Sequence, residues 1–242
     1  MIKITRLMLI LAIFLSLFFV AETGCHATFS SEGKALAAVE NREAKLSNLA
    51  YRRFFIHTQA RLPRWKKYFT KYARKQDIPW TLLAAVAYQE SKWDHEARSY
   101  TGVRGLMQIT TKTAERLGIN NREDPEQSIQ GAAVYLKYLY DKTQPSFSSY
   151  ERWTHALAAY NMGWAHLRDA RLLAIELKHN PNQWSEFKKI IPMLEQEKIF
   201  SQLKFGFARG RETVEFVEAV LIYDQLLKAN VSTRPLLTSR DF

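Results

Sequence analysis

The stretch Trp80–Thr110, WTLLAAVAYQESKWDHEARSYTGVRGLMQIT, constrains this chain more than any other. It opens as an apolar helix in which Leu82, Leu83, Val86 and Ala87 pack inward, and it brings one carboxylate, Glu90, to its polar end. After Trp93 the apolar period stops. Ser99 to Ile109 then carries Gly102 and Gly105 among small polar residues, which is loop chemistry, and the loop is expected to fold back over the helix end. A helix this apolar is stable only when other elements cover it.

The covering elements also read as helices. A basic and aromatic segment runs from Tyr51 to Arg74, interrupted at Pro63, and places Trp65, Tyr68, Phe69 and Tyr72 on one face with Lys66, Lys67, Lys71 and Arg74 around it. That face reads as core with a solvated rim; stacking on bases or sugars is the functional alternative. Pro79 suits the first turn of the next helix. Thr110 or Thr111 caps a short helix ending at Gly118, and Asp124 before Pro125 caps another with an apolar stripe of Ile129, Ala132, Ala133, Leu136 and Tyr140. Gly131 within that stripe predicts a close helix contact. Further helices are expected over Tyr150–Tyr160, Trp164–Leu177 and Glu212–Ala229, with a break at Asn180-Pro181 and a less regular stretch from Glu195 to Arg211. No alternating strand pattern occurs, so the expected fold is all-α.

At the N-terminus, Lys3 and Arg6 precede an uncharged apolar run from Leu7 to Ala21, the layout of a secretory signal peptide. Residues 1–27 are therefore expected to be a signal peptide or a lipoprotein signal, 28–50 a helical tether, 51–230 one catalytic domain and 231–242 a tail. Cys25 is the only cysteine, so no intrachain disulfide forms, and Thr23-Gly24-Cys25 partly fits a lipidation site where Glu22 does not. The 35 Lys and Arg against 24 Asp and Glu give a net charge of +11, which suits an anionic partner or surface: nucleic acid, lipid headgroups or an acidic wall polymer.

The chemistry narrows to carboxylates. A Glu that follows an apolar run beside aromatics loses hydration, which raises its pKa and keeps it protonated as a general acid for a glycosidic oxygen; the ordinary alternative is a solvated helix end. Hydrolysing glycosidases use a second carboxylate, and Asp94 shares a helix face with Glu90 if the helix continues that far. Asp94 orienting a loop is the plainer reading, as is Asp124 serving as a cap. The six histidines show no metal-ligand spacing and no phosphate-binding glycine motif is present, so neither metal nor organic cofactor is expected.

Three ordered motifs carry a family resemblance: Gln89-Glu90-Ser91-x-Trp93, then Ser99-x-Thr101-Gly102-Val103-Arg104-Gly105-Leu106-Met107-Gln108-x-Thr110, then Ala159-Tyr160-Asn161-x-Gly163. Together they resemble the lytic transglycosylases with a goose-lysozyme-like helical fold. Asp124-Pro125-x-x-Ser128-Ile129-x-Gly131 and Ala208-Arg209-Gly210-Arg211-Glu212-x-Val214-x-Phe216-Val217 extend the similarity over residues 64–228.

The resemblance implies cleavage of the bond between N-acetylmuramic acid and N-acetylglucosamine in peptidoglycan, with Glu90 as acid and then base and a 1,6-anhydromuramyl end as product. It implies that Ser91 orients the site, that Met107 and Gln108 line the glycan cleft, and that Tyr160 and Asn161 position Glu90 or the sugar. Met107 and Tyr160 read equally well as core. Phe216 stands where relatives often carry an aromatic, and His95 replaces the proline common after the Trp-Asp pair. The implied partner is peptidoglycan rather than nucleic acid, and the implied place is the periplasm, with possible membrane anchorage and a role in wall remodelling or a secretion assembly. A water-using muramidase and a catalytically silent wall-binding scaffold are the alternatives.

Overall fold

The computed structural model describes residues 48–99 and 102–237. The expected signal, the Cys25 lipidation site and nearly all of the tether lie outside the described residues, as does the end of the tail. The chain divides into two units, Met1–Arg52 and Arg53–Phe242, and the architecture below is that of the second.

Among the described residues three helices come first: α1 (Asn48–Ala60), α2 (Leu62–Lys75) and α3 (Trp80–Ser91). Pro63 falls in the first turn of α2, where a missing N–H costs nothing, so it starts a helix rather than interrupting one. Phe69 and Tyr72 of α2 are buried, as a core face requires, while Trp65 and Tyr68 are half-buried at its edge. Pro79 sits one position ahead of α3, and its carbonyl accepts from Leu83 N at 3.2 Å. Every residue of α3 from Thr81 to Tyr88 is buried.

The end of α3 is abrupt. Lys92 and Trp93 both take left-handed backbone (φ 56° and 59°), so the helix stops at Ser91 and the chain turns away. Burial of the Trp93 indole, whose Nε1 donates to Ala84 O at 2.8 Å, offsets that strain. The ring joins Phe54, Tyr88 and Tyr223 in an aromatic cluster with centroids 4.6–5.8 Å apart. Trp65 Nε1 then ties α2 to Trp93 O at 3.2 Å.

Next follow α4 (Thr111–Arg116), α5 (Pro125–Asp141), α6 (Ser149–Met162), α7 (Trp164–Glu176) and α8 (Trp184–Ile190). Thr110 caps α4 by accepting from Thr113 N at 3.1 Å, and Asp124 caps α5 by accepting from Gln127 N at 2.8 Å. A 3-10 turn (Ile191–Glu195), the short α9 (Glu197–Phe200) and the long α10 (Gly210–Leu237) complete the order. The last helix continues past Ala229 into the span expected to be tail, because extending a formed helix costs far less than starting one.

Around α3, α2 packs on one side and α10 along another; α6 lies against α5, α7 and α10. Gly131 does meet a close contact, but not a helix: a Cβ there would run into the Ile119 side chain, in the loop after α4. Among the described residues there is no strand, only two isolated antiparallel bridges, Arg98 with Arg104 and Arg104 with Ile109. No described helix is long and apolar enough to cross a membrane.

Candidate active site

The end of α3 and the loop after it open into a cleft of about 230 Å³ whose wall includes Glu90, Gln108, Tyr135, Tyr160, Asn161, Arg209 and Glu212. Five segments thus meet: the end of α3, the glycine-bearing loop, α5 through Tyr135, the C-terminal turn of α6, and the start of α10.

Glu90 is only partly open to solvent, and no side-chain hydrogen bond to it is found among the described residues. Burial pushes its carboxyl up to about 8 from the ordinary 4.5; the Lys92 ammonium opposes that rise and the Glu212 carboxylate adds to it. The group is therefore protonated at neutral pH. Lys92 is itself lowered by burial, with the opposing pull of Glu90. Tyr160 is held well above its ordinary value by burial, then by Glu90 and Tyr135, so it stays a phenol and donates to Met107 O at 3.0 Å.

The other motif residues divide into those facing the cleft and those holding it. Asn161 lines it, and its Oδ1 accepts from Thr213 Oγ1 on α10 at 2.7 Å. Gln108 lines it too, in left-handed backbone (φ 47°), with Nε2 donating to Gly105 O at 2.8 Å and Ala97 O at 3.1 Å. Ser91 is 8% exposed and lies behind the wall: its hydroxyl contacts Leu106 O at 2.8 Å and Ala87 O at 3.1 Å, pinning the loop to α3. The Met107 side chain is fully buried, and what it offers the site is its carbonyl, which orients Tyr160. Phe216 stacks behind Tyr160, centroids 6.3 Å apart and nearly parallel.

The described part of the loop is tied by internal contacts. Gly105 has φ 79°, and a Cβ there would strike the carbonyl of Arg122, so only glycine fits. Ser99 N donates to Val103 O at 3.1 Å and Gly105 N to Ala97 O at 3.0 Å. Glu123 pairs with Arg104 at 2.8 Å and Arg98 at 3.4 Å, and the Arg104 guanidinium holds its carboxyl below the ordinary value.

Asp94 does not join the cleft. Since α3 ends at Ser91, Asp94 leaves the helical face and its Oδ1 accepts from Glu96 N at 3.0 Å, a turn-forming role. The second carboxylate in the cleft is Glu212, which lies 3.6 Å from Arg209 in an exposed ion pair. Sequence reading assigns no role to Glu212, Thr213 or Tyr135. The only signal in the sequence is the position of Glu212 within the Ala208–Val217 motif, in which position 213 is unspecified, and linear spacing does not show that α10 crosses α6. No cluster of His, Cys, Asp or Glu among the described residues is placed to hold a metal.

Residues 67–182 match the transglycosylase SLT domain family. The chain is 47% identical over 174 residues to membrane-bound lytic murein transglycosylase F of Pseudomonas putida (strain GB-1), covering 72% of this chain and 36% of that protein. It is 51% identical over 162 residues to the protein of the same name from Serratia proteamaculans (strain 568), covering 67% of this chain and 33% of that one. It thus spans about a third of the length of these relatives. The 70 kDa soluble lytic transglycosylase SLT70 of Escherichia coli has a similar fold, with a TM-score of 0.52 and 25% identity over 78% of this chain and 28% of that one. The family match, together with 47% identity over 174 residues to a lytic murein transglycosylase, makes residues 67–182 of this chain a transglycosylase SLT domain.

Proposed function

We propose that the chain is a peptidoglycan lytic transglycosylase, cutting the β-1,4 bond between N-acetylmuramic acid and N-acetylglucosamine without water. The observation that carries this reading is Glu90, a carboxylic acid kept protonated at neutral pH by burial in an open cleft. It gives its proton to the glycosidic oxygen as the bond to the muramyl C1 breaks. The resulting carboxylate then takes the proton of the muramyl C6 hydroxyl as that oxygen bonds to C1, closing the 1,6-anhydro ring and restoring the acid. Because the nucleophile belongs to the substrate, no second carboxylate is required and the attack is intramolecular.

In this reading Asn161, held by Thr213, and the Gln108 carboxamide orient the sugar, while Tyr160 shapes the wall beside Glu90; their positions in the cleft wall support it. Ser91 and Met107 act as positioning residues behind them. The relatives named membrane-bound support a periplasmic place at a membrane, with Cys25 or the apolar N-terminal run as anchor. Mass spectrometry of intact murein digested by the full chain tests the activity: anhydromuropeptides are expected, and folded protein that produces none would refute it.

Glu212 favours a second reading, a muramidase in which this cleft carboxylate activates water. Reducing-end muropeptides in the same digest would select it.

A further inference from the structure

Between Asn48 and Gln76 the sequence carries nine Lys and Arg and no Asp or Glu, a local excess nearly as large as the whole chain's +11. The structure gathers much of that charge on one face. On α2, Arg64, Lys67, Lys71, Arg74 and Lys75 recur at helical spacing, opposite the buried Phe69 and Tyr72, and all five are exposed. Lys66 stands at the flank. Glu126 pairs with Lys71 at 2.7 Å and also feels the charge of Lys67. A shallow depression of about 520 Å³ on this face is lined by Pro63, Lys66, Lys67, Thr70, Lys71 and Arg74, without a carboxylate.

Aromatic rings support the cations. Lys66 Nζ lies 5.3 Å from the Trp80 ring centroid, Lys67 Nζ 4.7 Å from Tyr68 and Arg64 Cζ 5.9 Å from Trp65. The preceding helix α1 leaves Phe55 49% and Ile56 60% exposed. Long cationic stems laid on Trp and Tyr suit the boundary between headgroups and acyl chains. The face belongs to a helix of 14 residues, about 21 Å long. That is a straight row of charges, matching a plane of phosphates better than the scattered carboxylates of a wall polymer.

We infer that the exposed face of α2 is a docking surface for an anionic phospholipid membrane. Docked in this way, the catalytic domain would be held against the bilayer by charge as well as by its N-terminal run. The inference is independent of the chemistry proposed for Glu90, because none of these residues lines the cleft.

Flotation of the full chain with vesicles tests it. One set is phosphatidylcholine alone and the other contains about one-third phosphatidylglycerol, so any capture by the apolar N-terminal run is common to both. Wild type is expected to partition more strongly onto the anionic vesicles and to lose that preference as salt rises. The variant Arg64→Gln/Lys67→Gln/Arg74→Gln/Lys75→Gln is expected to lose at least ten-fold on anionic vesicles, since each cation near such a surface is worth about five-fold. Its partition onto phosphatidylcholine, its thermal midpoint and its cleavage of soluble glycan fragments should stay unchanged. Equal partition of wild type onto both vesicles, or a variant that binds like wild type, overturns the proposal. Should the variant instead lose ten-fold on purified murein with vesicle binding intact, the face belongs to the wall polymer. The salt titration of wild type keeps the test decisive if the variant fails to fold.

Discussion

Glu90 illustrates how much a single residue's behaviour depends on its surroundings. As a helix-end Glu it reads most simply as solvated, and the cleft makes it an acid with a pKa near 8. Glu90→Gln is expected to abolish anhydromuropeptide formation while leaving the circular dichroism spectrum unchanged. The pH dependence follows from the direction of the shift. The rate should fall as pH rises through about 8, where the proton to be donated is lost. The stability effect has the same sense: the folded pKa lies above the unfolded value, so this group's contribution is complete below about 4.5 and lost as pH rises to about 8. The Gln variant cannot ionise. In denaturant melts at pH 8 it should therefore be more stable than wild type, by about 1–3 kcal/mol. Thr213 supports the site indirectly. Thr213→Val removes the donor to Asn161 Oδ1, and we expect about a ten-fold loss in kcat/KM with about 1–2 kcal/mol of stability, measured by product release and thermal melting.

The glycine-bearing loop is the element that turns a helix end into a site. It is tied to α3 by Ser91, to α5 by Ser128 Oγ, which accepts from Met107 N at 3.3 Å, and to α6 by the Tyr160 hydroxyl. Gly105→Ala asks for a left-handed alanine whose Cβ meets the Arg122 carbonyl, so it should cost about 2–4 kcal/mol and lower turnover together with the melting temperature. The loop was readable as a loop from Gly102 and Gly105, but its internal bonds were not. Nor was the end of α3. Lys92 and Trp93 carry no turn signature, and only burial of the indole makes their left-handed backbone tolerable. That turn is what removes Asp94 from the helix face it would need to share with Glu90.

Across the whole molecule, α10 couples the core to the chemistry. Val217 and Val220 of α10, the helix that packs along α3, are fully buried, and the first turn of the same helix puts Glu212 in the cleft wall and the buried Thr213 behind it, against Asn161. Val220→Ala should therefore destabilise the domain by about 1–3 kcal/mol in denaturant melts. A loss of activity at temperatures well below the variant's melting point would show that α10 must be firmly seated for the cleft to work.

Local chemistry was enough to determine much of this protein. Apolar spacing placed the helices, Thr110 and Asp124 marked two of their starts, and three short motifs picked out Glu90, Gln108, Tyr160 and Asn161 together. These are properties of neighbouring residues, which the order of side chains states directly. The side of the wall on which Ser91 and the Met107 side chain lie was decided only when α3, α5, α6 and α10 packed, as was the identity of the second cleft carboxylate. Contacts between residues fifty positions apart, such as Thr213 with Asn161 and Tyr160 with Met107, depend on helix crossing and on which face each helix buries. No periodicity along a single segment encodes that.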